Sequence, residues 1–231
     1  MVRFVRTTVA LAAAVLFASA CVPPPPAPPP EGFDQLYLTR DGADHFVFQL
    51  AENSLTVTSP ASNRGSNSRA LLWRVDAPQT VDQQSCATFT DSGLPNQEGV
   101  VLRVRTDHGV GRGITVTKNI WYGYTHAFNV HVWDTSRPAD AGLLTKVSGH
   151  FMTEALGPYP WRLCARAVGA RVTFKVWPAS QPTPAWDDPI HARSTTLPPG
   201  WTAPGRPGIY VGHVPAGGRV GFSDLSTSPP G

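Results

Sequence analysis

Residues 161–177, reading WRLCARAVGARVTFKVW, narrow most sharply what this chain can become. Trp161, Leu163 and Ala165 alternate with Arg162, Cys164 and Arg166. After Val168-Gly169-Ala170-Arg171 the alternation resumes, with Val172, Phe174 and Val176 set against Arg171, Thr173 and Lys175. A period of two sends successive side chains to opposite faces of a strand, and Gly169 supplies the positive φ that a tight hairpin needs. Two antiparallel strands follow, each apolar on one face and polar on the other. The apolar faces then require a second layer to cover them.

The same signal recurs along the chain. Residues 45–50, 54–58, 69–75, 86–89, 99–105, 113–124, 127–133, 208–213 and 218–224 are short runs rich in Val, Thr and aromatics, separated by turn residues. No amphipathic helix of ordinary length competes: 139–144 is too short, and the 24 Pro and 21 Gly interrupt the other candidates. Residues 32–231 are therefore expected to form one all-β domain, a two-sheet antiparallel sandwich or barrel. Residues 178–207 differ, with little strand signal but many prolines plus Trp186 and Trp201. A stretch this long in a compact domain is expected to be an ordered rim or edge cover.

Several blocks carry a family likeness. RVTFKVW, PTPAWDDPIH and GIYVGHVPAGGRVGFSDL resemble the final strands of concanavalin A-like jelly rolls, the fold of lectin, laminin-G and glucanase domains. Residues 54–225, with ITVTKNIWYG and FNVHVWDT, also look like exported proteins of high-GC Gram-positive bacteria. The likeness implies a jelly-roll sandwich and leaves activity open, because function belongs to sites rather than folds.

The first twenty residues read as an address. Arg3 and Arg6 give a positive start, residues 9–17 are apolar, and Ala18-Ser19-Ala20 are small; this is a secretory signal, too short to span a membrane. Cys21 follows at once, so the segment resembles the lipobox of bacterial lipoproteins, although Ala18 stands where Leu is usual. Acylated Cys21 would anchor the protein at the outer face of the cell membrane. Ordinary signal cleavage and free secretion is the alternative. Residues 21–31 then form a proline-rich stalk, VPPPPAPPP, which favours an extended polyproline helix rising ~3.1 Å per residue; a disordered leader would read the same. With Cys21 set aside, Cys86 and Cys164 are expected to pair in an oxidising compartment, the alternative being two buried thiols. Closing a loop of that length contributes about 4 kcal/mol on the chain-entropy account.

Composition excludes several functions. The charged fraction is 15% and the net charge +3. Two of the 19 basic residues, Arg3 and Arg6, belong to the leader, which leaves 17 against 16 acidic ones. That balance offers nothing to nucleic acid, and the aromatic content excludes a disordered chain. Catalytic signatures are missing as well: no G-x-S-x-G, no H-E-x-x-H and no phosphate-cradling loop. Glycoside hydrolysis needs two carboxylates on one face, yet the chain has no E-x-D-x-E strand, and Asp107, Asp134 and Glu154 each stand alone. His126 and His131, five apart, fall on opposite faces of a continuous strand. No metal site or cofactor is expected, beyond the calcium that the oxygens of Asp187 and Asp188 would suit.

What remains is binding without turnover, by a monomer whose partner is carbohydrate or another envelope polymer. Carbohydrate recognition uses flat aromatic faces beside hydrogen-bonding side chains. Asn129, His131 and Trp133 share one strand face opposite Phe128, Val130 and Val132, and are expected to face solvent or a groove. Trp121 joins them, and Arg103 with Arg105 would add cations for acidic sugars or phosphates. The alternatives are a hydrolase assembled from non-sequential acids, an envelope protein-interaction domain, or simple aromatic packing beneath a loop.

Overall fold

The computed structural model describes residues 27–40, 45–63, 67–90, 96–119, 127–152 and 159–230. The strands are β1 (Phe33–Thr39), β2 (Val47–Ala51), β3 (Ser54–Thr58), β4 (Arg69–Arg74), β5 (Gln83–Phe89), β6 (Gln97–Asp107) and β7 (Val110–Asn119). They continue as β8 (Ala127–Asp134), β9 (Leu144–Phe151), β10 (Trp161–Val168), β11 (Arg171–Pro178), β12 (Ala192–Thr196), β13 (Arg206–Gly212) and β14 (Arg219–Ser228). They build two 7-stranded sheets: A, ordered β1-β4-β13-β6-β7-β8-β9, and B, ordered β12-β11-β10-β5-β14-β3-β2. The hairpin anticipated at Gly169 closes with Val168 opposite Arg171 and Gly169 at φ 52°.

Strand parity decides what fills the space between the sheets. Leu163, Ala165, Val172, Phe174 and Val176 from B meet Val100, Leu102, Ile114, Val116, Phe128, Val130 and Val132 from A, nearly all fully buried. A Leu, Val or Phe buried in this way contributes about 1.5–3 kcal/mol relative to exposure. Cys86 and Cys164 face outward from B, directly opposite each other on β5 and β10, and are joined as a disulfide.

Three strands lie outside the runs expected from sequence: β1, β9 and β12. Each is the outermost strand of its sheet. An outermost strand pairs on one side only and is commonly polar, so ARSTT of β12 and LTKVSGHF of β9 carry weak hydrophobic alternation. The stretch 178–207 is consequently not all loop, since β12 within it covers the edge of β11.

Sheet A curls strongly. β1 and β7 are four positions apart in it, about 19 Å if the sheet were flat. Even so, a Cβ placed on Gly111 would meet the Leu36 side chain at 2.1 Å, and one on Gly113 would meet Leu71 at 3.2 Å. These two glycines let the far strands fold over β7. The concavity is closed along one diagonal by a second apolar cluster that includes Leu38, Leu71, Trp73, Val101, Trp133 and Tyr210.

Candidate functional site

Asn129, His131 and Trp133 do share the outer face of β8, but this face does not lie open to solvent as expected. Trp133 is 1% exposed. It sits opposite Gly113, whose missing side chain leaves room for the indole. Its Nε1 donates to Thr115 Oγ1 at 2.9 Å, and its ring stacks with Tyr210 at 6.4 Å. The Arg69 guanidinium, reaching across from β4, lies 5.8 Å from the ring centre. Trp133 is thus a packing residue of the second cluster, and curling of the sheet is the physical reason.

The other diagonal of the same face is polar. Thr117 and Asn129 are cross-strand neighbours, both buried, and among the described residues neither Thr117 Oγ1 nor Asn129 Oδ1 has a hydrogen-bond partner. Leaving such groups without partners costs about 1–3 kcal/mol each. Gly149 lies on the other side of Asn129, and a Cβ there would come within 2.8 Å of both Asn129 Oδ1 and Lys146 Nζ. The missing side chain of Gly149 leaves room for the carboxamide oxygen and for the end of the exposed Lys146 side chain, which closes over it. Burial pushes the His131 imidazole down to about 4, and Lys146 and Arg69 add to the shift, so the ring is neutral at pH 7. Arg69 is held in place by donating to Thr39 Oγ1, Asn67 Oδ1 and His213 Nε2. On the same face, the buried Tyr210 hydroxyl donates to Gln97 Oε1 at 2.7 Å. Two sunken acceptors without donors, bordered by a cation, suit a ligand rich in hydroxyl groups.

The remaining predicted residues do not join this site. Arg103 sits in a β-bulge between Leu102 and Arg105, at φ 53°. Its guanidinium donates to the carbonyls of Val81, Trp201 and Gly169 at 2.8, 2.7 and 2.5 Å, and the residue is 3% exposed. It ties three chain segments together. The bulge also shifts parity, so Leu102 faces the main core whereas Val104 joins the outer cluster, against the uniform alternation expected. Arg105 pairs with Arg112, five residues along β7 from Thr117 and hence about 17 Å from it. Trp121 and Cys21 lie outside the described residues.

Two carboxylates near the central strands are held by cations. Glu98 Oε2 accepts from Lys118 Nζ at 2.8 Å inside the sandwich, where Lys118 also donates to Asn96 and Tyr159. Asp134 pairs with Arg112 at 2.6 Å. Lys118 and Arg112 are six residues apart on β7, which separates the two acids by about 20 Å. That exceeds the ~5–9.5 Å of a glycosidase pair. Glu154 lies outside the described residues. Asp188 Oδ1 accepts from the Ile190 and His191 N–H groups at 2.8 and 2.9 Å and serves its own turn. Among the described residues no group of three or more His, Cys, Asp or Glu is placed to hold a metal.

Sequence reasoning passed over Arg69, Thr117, Lys146 and Gly149. Thr117 carried a usable signal, since it alternates with Val116 and Lys118. Lys146 and Gly149 fall on the unrecognised edge strand β9.

No protein-family model matches the chain, and no curated protein matches it in sequence. Solved structures do match in shape. Over 85% of this chain and 95% of the other, it superposes on the carbohydrate binding module CBM66 from Bacillus subtilis, with a TM-score of 0.52 and 11% identity. The exoplasmic/lumenal domain of VIP36, in its Ca2+/Man3GlcNAc-bound form, matches with a TM-score of 0.50 and 12% identity, over 87% of this chain and 84% of that one. The fold is a lectin-type jelly roll. At these identities the likeness fixes the architecture of the jelly roll alone.

Proposed function

We propose that this jelly roll binds carbohydrate of the cell envelope without turning it over, as the exported domain of a lipoprotein anchored through Cys21. The observation that carries the binding reading is the pair of buried acceptors, Thr117 Oγ1 and Asn129 Oδ1, which have no donor among the described residues, the second of them lying over Gly149. A sugar hydroxyl that displaced the end of the Lys146 side chain over Gly149 would donate to Asn129, and its own oxygen would accept from Lys146. Support also comes from the two structural neighbours, one a carbohydrate binding module and the other solved with a mannose-containing oligosaccharide. Mannose-type glycans are therefore the first probes.

The test is binding of the full chain to a glycan array and to isolated cell-wall polysaccharide, compared with Asn129→Leu. The expected result is binding by wild type and a loss of roughly tenfold or more in the variant, about 1.4 kcal/mol, with folding intact. A wild type that binds no polysaccharide overturns the reading. For the anchor, mass analysis of the mature N-terminus should find an acylated Cys21, and an unmodified cysteine there would refute it.

A further inference from the structure

The opposite side of the sandwich carries a groove that the concave face does not share. It is open, about 770 Å³ in volume, and lined by Arg166, Arg171, Thr173, Trp186, Arg193 and Ser194. Its floor is the polar parity of β10 and β11, continued onto β12 where Ser194 lies opposite Thr173. Its wall is Trp186, brought in by the segment between β11 and β12. The half-buried indole packs on the cluster of Cys86, Cys164 and Trp177. Arg166 lies 4.4 Å and Lys175 4.5 Å from its ring centre. Lys175 Nζ also donates to the Pro184 carbonyl at 2.5 Å, which holds the segment down. A ring fixed in this way loses little freedom when a ligand stacks on it.

The cations are positioned too. Arg171 donates to Ser194 Oγ at 2.7 Å, and Arg193 donates to the carbonyls of Pro189 and Ala192. Two acids border the groove, Asp187 and Asp188. Asp188 is occupied by its turn and by the His191 ring at 3.1 Å, whereas Asp187 is exposed at the rim.

We infer that this groove is a second binding site, taking acidic polysaccharide. One aromatic face suits one sugar ring. Guanidinium groups beside it suit a carboxylate or phosphodiester carried on that sugar, which they hold bidentately. The ring and hydroxyl groups of Thr173 and Ser194 complete a sugar-sized surface. Single-stranded nucleic acid is the less suitable occupant, because it asks for successive stacking platforms and a denser positive field. Here one tryptophan and two acids stand among the arginines.

The experiment measures binding of the full chain to polygalacturonate, phosphomannan and neutral mannan by calorimetry at low and at physiological salt. Binding to polygalacturonate or phosphomannan is expected, weaker at higher salt, and the stronger of the two identifies the anionic group. Trp186→Ala and Arg171→Ala should each weaken it about tenfold, and Asp187→Asn should strengthen it. Asn129→Leu should leave polygalacturonate binding unchanged, which separates this site from the concave one. No anionic binding by wild type overturns the inference, whatever neutral mannan does. So does anionic binding that both groove variants retain, or tighter binding of oligo(dT) than of either polymer.

Discussion

The two outer faces of the sandwich both display tryptophan, and they treat it oppositely. On sheet A, Trp133 stands on a strand facing Gly113, and the curl of the sheet draws Leu71, Tyr210 and Arg69 over it. On sheet B, Trp186 comes from a connecting segment, packs on a disulfide and two cations of the sheet, and remains half-buried. A strand-borne tryptophan on a curving sheet becomes core, whereas a loop-borne one on a stapled sheet is held up as surface. Aromatic richness in a β-sequence therefore does not by itself mark a binding face. The curvature, set by two glycines on the neighbouring strand β7, decides it.

The sharpest way to break this contrast is paired truncation. Trp133→Ala should cost about 3–5 kcal/mol in chemical denaturation, while Trp186→Ala should cost no more than about 1.5 kcal/mol. Similar losses at both positions would show that the faces do not differ. Next comes the staple: replacing Cys86 and Cys164 together by Ser should cost about 2–4 kcal/mol, and fluorescence quenching should find Trp186 more accessible while Trp133 stays shielded.

Acid should act on sheet A first. The His131 imidazole titrates near 4 in the folded protein, against 6.5 ordinarily, so between those values the unfolded chain binds more protons. Stability from this group is whole above pH 6.5 and declines as pH falls toward 4, by at most about 3 kcal/mol. His131→Gln should flatten the fall between pH 7 and pH 4.5, and an unchanged slope would remove His131 from the account. The smallest effect belongs to Asn129→Leu. Deleting an unpartnered buried acceptor should change stability by under about 0.5 kcal/mol, or raise it, so that any loss of sugar binding reports the site and not the fold.

Central strands were legible because they are buried on both sides of their pairing and alternate cleanly, as residues 161–177 do. The outermost strands were not, since β9 and β12 satisfy only one neighbour and their side chains are largely polar. The Cys86–Cys164 pairing followed from the cysteine count, and the structure supplies its register. For the site, parity brought Asn129, His131 and Trp133 to one face. Burial of Trp133 could not be read from parity, because it depends on Gly111 and Gly113 in a different strand. The Arg103 bulge was equally invisible: a single residue at positive φ reverses the facing of everything after it. The sequence places Trp186 in a rim, but its presentation depends on the disulfide and on Lys175, which lie elsewhere in the chain.

The strand ends Thr39, Arg69, Gln97, Asn119, Ala127 and Phe151 all lie at one end of sheet A, beside Thr117 and Asn129. The polar floor is therefore built from strand ends, while the core residues sit farther along the strands. Substitutions at the polar ends Thr39, Arg69 and Gln97 would change what the floor can recognise while leaving the packing between the sheets in place. The domain is arranged as a constant frame with an interchangeable crown, in which recognition can diversify quickly while the fold stays fixed.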